Sequence, residues 1–153
     1  MKLSFFPRLL VFALSFWGGT VSAIFLLTAI NAACFFPRHF WPWFLDGIRF
    51  DLLPVALAEM FRSPVMGLLF AWLGSPDLSR SGMIRFGVVC GAVSYAVAGV
   101  INLASFAPWS LAPYLRQPVA EYIILGLPVV LILLSRFFPH SQILFIKEEN
   151  LSS

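Results

Sequence analysis

Residues 51–73, DLLPVALAEMFRSPVMGLLFAWL, decide the fold predicted for this chain. The stretch is long enough to cross a bilayer, which takes about 20 apolar residues in a helix. It nevertheless carries Glu59 and Arg62 near its middle, where one charge costs roughly 2.5–3.5 kcal/mol on insertion scales. Charged residues at that depth usually face the interior of a helix bundle and often mark function. The segment therefore points to a polytopic membrane protein with a polar interior.

The composition of the whole chain supports a membrane environment. Hydrophobic residues make up 60% of the 153 residues and charged residues only 11%, against about 25% charged residues in an average soluble domain. We predict one all-α integral membrane domain, a bundle of four transmembrane helices, which leaves only short loops and no separate soluble catalytic domain. The predicted spans are residues 9–33, 52–73, 84–107 and 118–138.

Two geometries compete for the second segment: one kinked span, or an interfacial helix followed by a half-membrane helix that starts at Ser63-Pro64. If the segment spans, one side of the membrane carries six basic residues, Lys2, Arg8, Arg80, Arg85, Arg136 and Lys147. The other side then carries three, Arg38, Arg49 and Arg116. A re-entrant segment would move Arg80 and Arg85 across and remove this bias. Because positive charge collects in the cytoplasm, we predict four spans with both termini cytoplasmic.

The aromatic stretch between the first two spans, residues 35–50, is predicted to be an interfacial loop. Its sequence is FFPRHFWPWFLDGIRF, and aromatic side chains of this kind settle at the headgroup level. Pro37 and Pro42 argue against one continuous helix there. Asp51 is then the predicted N-cap of the second span. At the other end of the chain, residues 139–153 form a short cytoplasmic tail.

Asp51, Glu59 and Arg62 form the candidate polar site. On a helix they lie at about 0°, 80° and 20°, which is one narrow stripe that reaches mid-membrane. Glu59 and Arg62 are three residues apart and can pair directly. The stripe is either a functional site, such as a proton or ion relay or a socket for a charged group of a partner or lipid, or a self-satisfied pair that fixes helix orientation.

A second candidate feature is a stripe of small residues in the third span, formed by Gly87, Gly91, Ser94 and Ala98. Small residues spaced in this way share one helix face and let helix backbones approach closely. The face could form a homo-oligomer contact, or it could pack against neighbouring helices of the same chain. We predict close helix packing in either case.

Several function classes find no support in the sequence. The net charge is +3, but the basic residues are scattered and form no stripe for nucleic acid. His39 and His140 lie on opposite sides of the predicted membrane, so no metal-ligand set is expected. Cys34 and Cys90 fall in opposite halves of the bilayer and should not form a disulfide. Catalytic motifs such as Gly-x-Ser-x-Gly or a P-loop are absent. We therefore expect no cofactor, and an enzyme acting on lipid ranks third, behind a binding role and a carrier, because nothing resembles a nucleophile with its base.

One short motif, Gly47-Ile48-Arg49-Phe50-Asp51-Leu52, resembles a family pattern. It is similar to the Gly-x-Arg-Phe-Asp-Leu start of a membrane helix in lipoteichoic-acid-synthase-like phosphoglycerol transferases, whose membrane region precedes a large extracellular sulfatase-type domain. The resemblance covers these six residues. It carries over no catalytic or metal-binding residue.

The sequence thus predicts a protein that acts by binding in a membrane. We expect a multi-pass protein of the bacterial cytoplasmic membrane, in contact with the lipid bilayer. Its role would be that of an accessory or regulatory subunit, or an immunity-type partner, of another membrane protein. The alternative is a small carrier or ion or proton pathway centred on Glu59 and Arg62.

Overall fold

The computed structural model describes residues 4–104 and 116–137, and these residues are helical apart from short connections. The five α-helices are α1 (Phe5–Phe35), α2 (Phe40–Gly47), α3 (Leu53–Leu73), α4 (Arg80–Ala104) and α5 (Arg116–Phe137). A 3₁₀ turn (Pro37–His39) precedes α2, and a π-helical turn (Ile48–Leu52) joins α2 to α3. The predicted tail of residues 139–153 lies outside the described residues, as do residues 105–107 of the third predicted span.

Three helical stretches in the described part of the chain are long and apolar enough to cross a membrane. They are Phe5–Phe35, Pro37–Leu73 and Arg80–Val100. The apolar part of α5, Tyr122–Phe137, is shorter. The described residues are therefore helical and contain no strand, and the helices have the apolar composition of membrane spans.

The four long helices form a ring in the order α1, α4, α5, α3. Helix α1 packs most extensively against α4 and then α3, and α5 packs against α4 and α3. Within residues 4–104 and 116–137, the pairs α1 with α5 and α3 with α4 have no close backbone approach. They are the diagonals of the bundle, so only long side chains can link α3 to α4 across its axis.

Hydrogen bonds bring the start of α1, the α3–α4 turn and the end of α5 to one end of the bundle. Arg8 Nη2 donates to the Ser75 carbonyl oxygen at 2.7 Å. The Ser75 backbone N–H donates to the Ser135 hydroxyl at 3.3 Å. We call this the Arg8 end, and the opposite end, which holds α2 and the π-helical turn, the Asp51 end.

The segment predicted to be an aromatic loop is largely helical, which corrects the loop assignment. It is not one continuous α-helix, as its prolines indicated, because α1 ends at Phe35 and a separate 3₁₀ turn begins at Pro37. Pro42 is the third residue of α2, and the first turn of a helix has no carbonyl partner for its N–H groups. A proline there costs no hydrogen bond. The N-cap prediction for Asp51 was also wrong: Asp51 lies within the π-helical turn, and Leu52, which precedes α3, has helical backbone angles of φ −67° and ψ −49°.

Helix α3 continues through Ser63-Pro64 without the break that a half-membrane helix would need. Pro64 lacks the N–H that would bond to the carbonyl four residues earlier. The Ser63 hydroxyl donates to the Glu59 carbonyl oxygen at 2.7 Å, a contact that often accompanies a bend in a helix. The second apolar segment is therefore one helix.

The core of the bundle lies in its Arg8 half. The fully buried side chains there include Phe12, Phe16, Phe70 and Met83. The rings of Phe12 and Phe70 stack with centroids 4.2 Å apart and planes at 6°. Stacked and tilted rings fill this half of the interior with apolar atoms.

Candidate functional site

Glu59 lies inside the bundle, in the second turn of α3. The residue is only 3% exposed. An isolated carboxylate is very costly to bury, so a carboxylate at such a place needs partners that neutralise it and bond to its oxygens. Two side chains, Arg62 and Tyr95, lie within reach.

Arg62, one turn further along α3, forms an ion pair with Glu59. Its Nε atom lies 3.1 Å from Glu59 Oε2. The guanidinium carbon also lies 5.3 Å from the ring centre of Phe16 and 5.8 Å from that of Tyr95. Both distances are within the range of about 6 Å for cation–π attraction. Arg62 is thus held by one carboxylate and two aromatic rings.

Tyr95 connects this pair to α4. Its hydroxyl donates to Glu59 Oε1 at 2.7 Å, so the two oxygens of the carboxylate face different partners. The bond crosses the α3–α4 diagonal of the bundle, where the backbones are far apart. On the remaining side, the Trp17 indole N–H of α1 donates to the Ala56 carbonyl oxygen at 3.0 Å. Three helices therefore meet in one polar layer.

Some hydrogen-bonding capacity in this layer is left over. Four buried polar atoms have no hydrogen-bond partner among the described residues: Glu59 Oε2, Arg62 Nε, Arg62 Nη2 and Thr20 Oγ1. The 3.1 Å contact between Nε and Oε2 is accordingly an ion pair whose N–H does not point at the oxygen. Because buried polar groups are normally hydrogen-bonded, a small polar molecule such as water suits this layer.

The stripe of small residues lies against α1. Gly87, Gly91, Ser94 and Ala98 are all buried. A Cβ atom at Gly91 would meet the carbonyl oxygen of Phe16, and one at Gly87 would lie 2.8 Å from the Ser15 side chain. The structure thus uses the stripe within the chain, where glycine allows the backbones of α1 and α4 to touch.

Asp51 lies apart from the ion pair, at the border of two cavities. The large cavity, of about 620 Å³, opens between α1, α3, α4 and α5 and extends from Asp51 to Tyr95. The small cavity, of about 220 Å³, lies between α1, α2 and the π-helical turn. Thr28, Asn31 and Asp51 line both. The three residues of the predicted polar stripe therefore divide into a buried pair and an exposed carboxylate.

Sequence reasoning named Glu59 and Arg62 but did not connect Tyr95 to them. A signal was present, because Tyr95 follows Gly91 by four residues and so lies near the face of α4 that carries the small residues. Trp17 and Phe16 gave no comparable signal, since one aromatic residue in an apolar helix resembles any other. Their positions depend on how α1 crosses the other helices.

The described residues offer little for metal binding or nucleophilic chemistry. Residues 4–104 and 116–137 contain no group of three or more His, Cys, Asp or Glu side chains that could hold a metal ion. Cys34 is exposed and lines the large cavity, whereas Cys90 is buried in the core, and neither forms a disulfide. The arrangement can hold the Glu59–Arg62 ion pair in the interior of the bundle, and its cavities at the Asp51 end have room for a ligand.

No protein-family model, curated protein or solved structure matches the chain.

Proposed function

We propose that the chain is a four-span integral membrane protein of the bacterial cytoplasmic membrane, with both termini in the cytoplasm, and that it acts by binding another membrane protein. The apolar lengths of the helices support insertion. The predicted excess of six basic residues over three supports the orientation. Its role would be that of an accessory or regulatory subunit, or of an immunity-type partner.

The observation that carries the binding role is the dry core between the polar layer and the Arg8 end. Phe12, Phe70 and Met83 have no exposed surface. A pathway for ions or protons needs a chain of polar groups or water across the whole bundle. Apolar rings packed at native density provide neither.

The pairing of Glu59 with Arg62 inside the chain also supports a binding role. Arg62 neutralises Glu59 within the chain, and the Tyr95 hydroxyl donates to one of the two carboxylate oxygens. A self-neutralised pair fixes the rotation of α3 against α1 and α4, and hence the outer surface that the bundle presents to a partner. The pair then acts as a positioning device for a binding surface.

Affinity purification of the full chain in mild detergent tests the binding role. We expect one membrane protein to be recovered in stoichiometric amount and to be identified by mass spectrometry. Recovery of the chain alone, or only as a homo-oligomer, under conditions that preserve known membrane complexes would count against it. Chemical crosslinking in intact cells distinguishes a second copy from a different partner.

A small carrier or proton pathway is the second candidate, because the large cavity reaches Tyr95, whose hydroxyl bonds to Glu59. This route would give the buried carboxylate contact with one side of the membrane. Proteoliposomes that contain only this protein and an internal pH dye test it. Proton flux that disappears in Glu59→Gln would favour the pathway over the binding role, and absence of flux would remove it.

Reporter fusions test the proposed orientation independently of any partner. Fusions after residue 36 and after residue 112 should report the outside, while fusions after residue 78 and at the C-terminus should report the cytoplasm. An outside signal after residue 78 would overturn the four-span orientation.

A further inference from the structure

The two cavities at the Asp51 end adjoin each other and differ in chemistry. They share Thr28, Asn31 and Asp51 in their walls. A molecule that occupied both would therefore pass Asp51, with one part in each cavity. The lining of each cavity indicates what that part would be.

The small cavity combines carboxylates with aromatic rings. Asp46 and Asp51 line it together with Phe36, Trp43 and Phe50. Neither carboxylate forms an ion pair or hydrogen bond with another residue in the described part of the chain. Carboxylates beside aromatic rings attract ammonium groups, through charge and through the ring quadrupole.

The aromatic wall of the small cavity is ordered by its own contacts. The rings of Phe36 and Trp43 stack with centroids 3.8 Å apart and planes at 5°. Two rings held parallel lose little further freedom when a ligand binds, which favours binding. Next to them, the Arg49 guanidinium lies 5.3 Å from the ring centre of Phe50, so a positive charge is available beside the two negative ones.

The large cavity is apolar along most of its wall. Its aliphatic lining includes Ile24, Leu27, Ile30 and Val55. The volume of about 620 Å³ falls within the range of about 300–1,000 Å³ that is usual for ligand sites. The cavity is open to its surroundings, and it is lined by helices that are apolar enough to lie in a bilayer. Hydrocarbon from the surrounding lipid is the material that such a groove would receive.

We propose that the two cavities form one binding site for a phospholipid with an ammonium headgroup. The ammonium group lies against Asp46 and Asp51 in the small cavity. The phosphate lies towards Arg49, and one acyl chain enters the large cavity. This inference rests on the proposed membrane insertion but needs no protein partner.

Cys34 provides a native probe of the site, because it is exposed and lines the large cavity, whereas Cys90 is buried. The purified full chain is reconstituted in vesicles of dioleoylphosphatidylcholine or of dioleoylphosphatidylglycerol, which differ only in the headgroup. The labelling rate with uncharged N-ethylmaleimide is then measured. Attraction of the quaternary ammonium to the carboxylates and aromatic rings of the small cavity should slow the labelling of Cys34 about tenfold in phosphatidylcholine relative to phosphatidylglycerol. Equal rates in the two lipids would overturn the proposal.

Variants connect the lipid dependence to the carboxylates. The double substitution Asp46→Asn with Asp51→Asn should label in phosphatidylcholine as fast as in phosphatidylglycerol. Asp77→Asn removes one carboxylate at the Arg8 end and should keep the wild-type difference. A difference that persists in the double variant would place its cause outside the small cavity and refute the site.

A measurement on the unaltered protein covers the case in which the double variant does not fold. The wild-type chain is reconstituted in an equimolar mixture of the two lipids and extracted in mild detergent, and its retained lipids are counted by native mass spectrometry. Retained phosphatidylcholine should exceed phosphatidylglycerol about tenfold, and a ratio equal to the input would sink the proposal. Failure of the chain to insert would overturn the proposed function as well, whereas insertion with an unselective ratio removes the lipid site alone.

Discussion

The two halves of the bundle are built from the same helices but have opposite interiors. In the Arg8 half, Phe12, Phe70 and Met83 leave no exposed surface. In the Asp51 half, the helices separate around an open cavity of about 620 Å³ with Asp51 at its border. The layer of Glu59, Arg62 and Tyr95 lies between them. This layer forms the inner end of the cavity and packs against the apolar core of the Arg8 half.

The comparison shows that α1 and α4 pack closely in one half of the bundle and line an open cavity in the other half. Helices α1 and α4 touch at Gly19 and Gly91, where an added Cβ atom would meet backbone. Beyond that crossing, Gly99 faces the Leu27 side chain and the cavity begins. Glycines hold the packed half together, and larger side chains set the width of the open half.

The largest effect should come from the layer between the halves. Arg62→Met leaves the Glu59 carboxylate buried without its cation, and Glu59→Gln leaves the cation without its carboxylate. Each should lower the free energy of unfolding in detergent by about 3–5 kcal/mol. Combining both changes should restore most of the loss, because no uncompensated charge remains. Folded yield and SDS-induced unfolding measure both the loss in the single variants and the recovery in the double variant.

Arg80→Met removes an exposed arginine at the start of α4 and serves as the control for lost charge. A double variant as unstable as either single variant would show that the pair is not self-contained. If stability recovers while partner binding stays lost, the polar layer takes part in function. If both recover, the pair has a structural role only.

A smaller effect is expected in the packed half. Phe70→Ala removes a fully buried ring that stacks on Phe12, and the cavity term alone predicts a loss of about 2–3 kcal/mol. Phe35→Ala makes the same change at the large cavity, where the ring is 62% exposed. It should be almost neutral. Equal losses at the two positions would contradict the division into a packed and an open half.

The helix crossing gives the third prediction. Gly91→Leu pushes a side chain into the backbone of α1 and should cost roughly 1–3 kcal/mol through overpacking. Gly18→Leu is the matched control, since a Cβ atom there meets nothing within 4 Å. Val89→Leu adds bulk beside the stripe and should also be tolerated. Similar folded yields for all three variants would rule out a tight contact at Gly91.

The smallest effect concerns one hydrogen bond at the polar layer. Trp17→Phe removes the indole N–H that donates to the Ala56 carbonyl oxygen and keeps most of the ring. The loss should be about 1 kcal/mol, the usual net value of one hydrogen bond. Trp72→Phe, at a position 75% exposed, should change the unfolding midpoint much less. A larger effect at Trp72 would mean that lipid contact matters more than this bond.

The sequence by itself determined those features that depend on neighbours along one helix. The long apolar segments predict the long helices, because a helix satisfies its own backbone in an apolar environment. The spacing of Glu59 and Arg62 by three residues places both side chains on one face. The spacing of Gly87 and Gly91 likewise creates a narrow face whatever helix it meets.

Applied to residues 35–51, the proline rule held at Pro37, which follows the end of α1, whereas the proline rule at Pro42 and the capping rule at Asp51 failed. A proline removes a helix hydrogen bond only at positions whose N–H would bond to a carbonyl one turn earlier. Pro42 lies in the first turn of α2, where no such bond is made. Asp51 can cap a helix only if the preceding chain is not helical, and α2 continues into the π-helical turn. Asp51 is exposed in the π-helical turn, whereas Glu59 is buried in α3, so the predicted stripe does not form one site.

Only the tertiary structure decided which helices share the interior. Tyr95 reaches Glu59 because α3 and α4 are diagonal in the ring and α1 crosses α4 at glycines. The cavities at Asp51 exist because helices that touch at one level separate at another. Periodicity specifies the faces of each helix, but the order of helices around the axis results from the fit of side chains distant in sequence, and no local pattern encodes that fit.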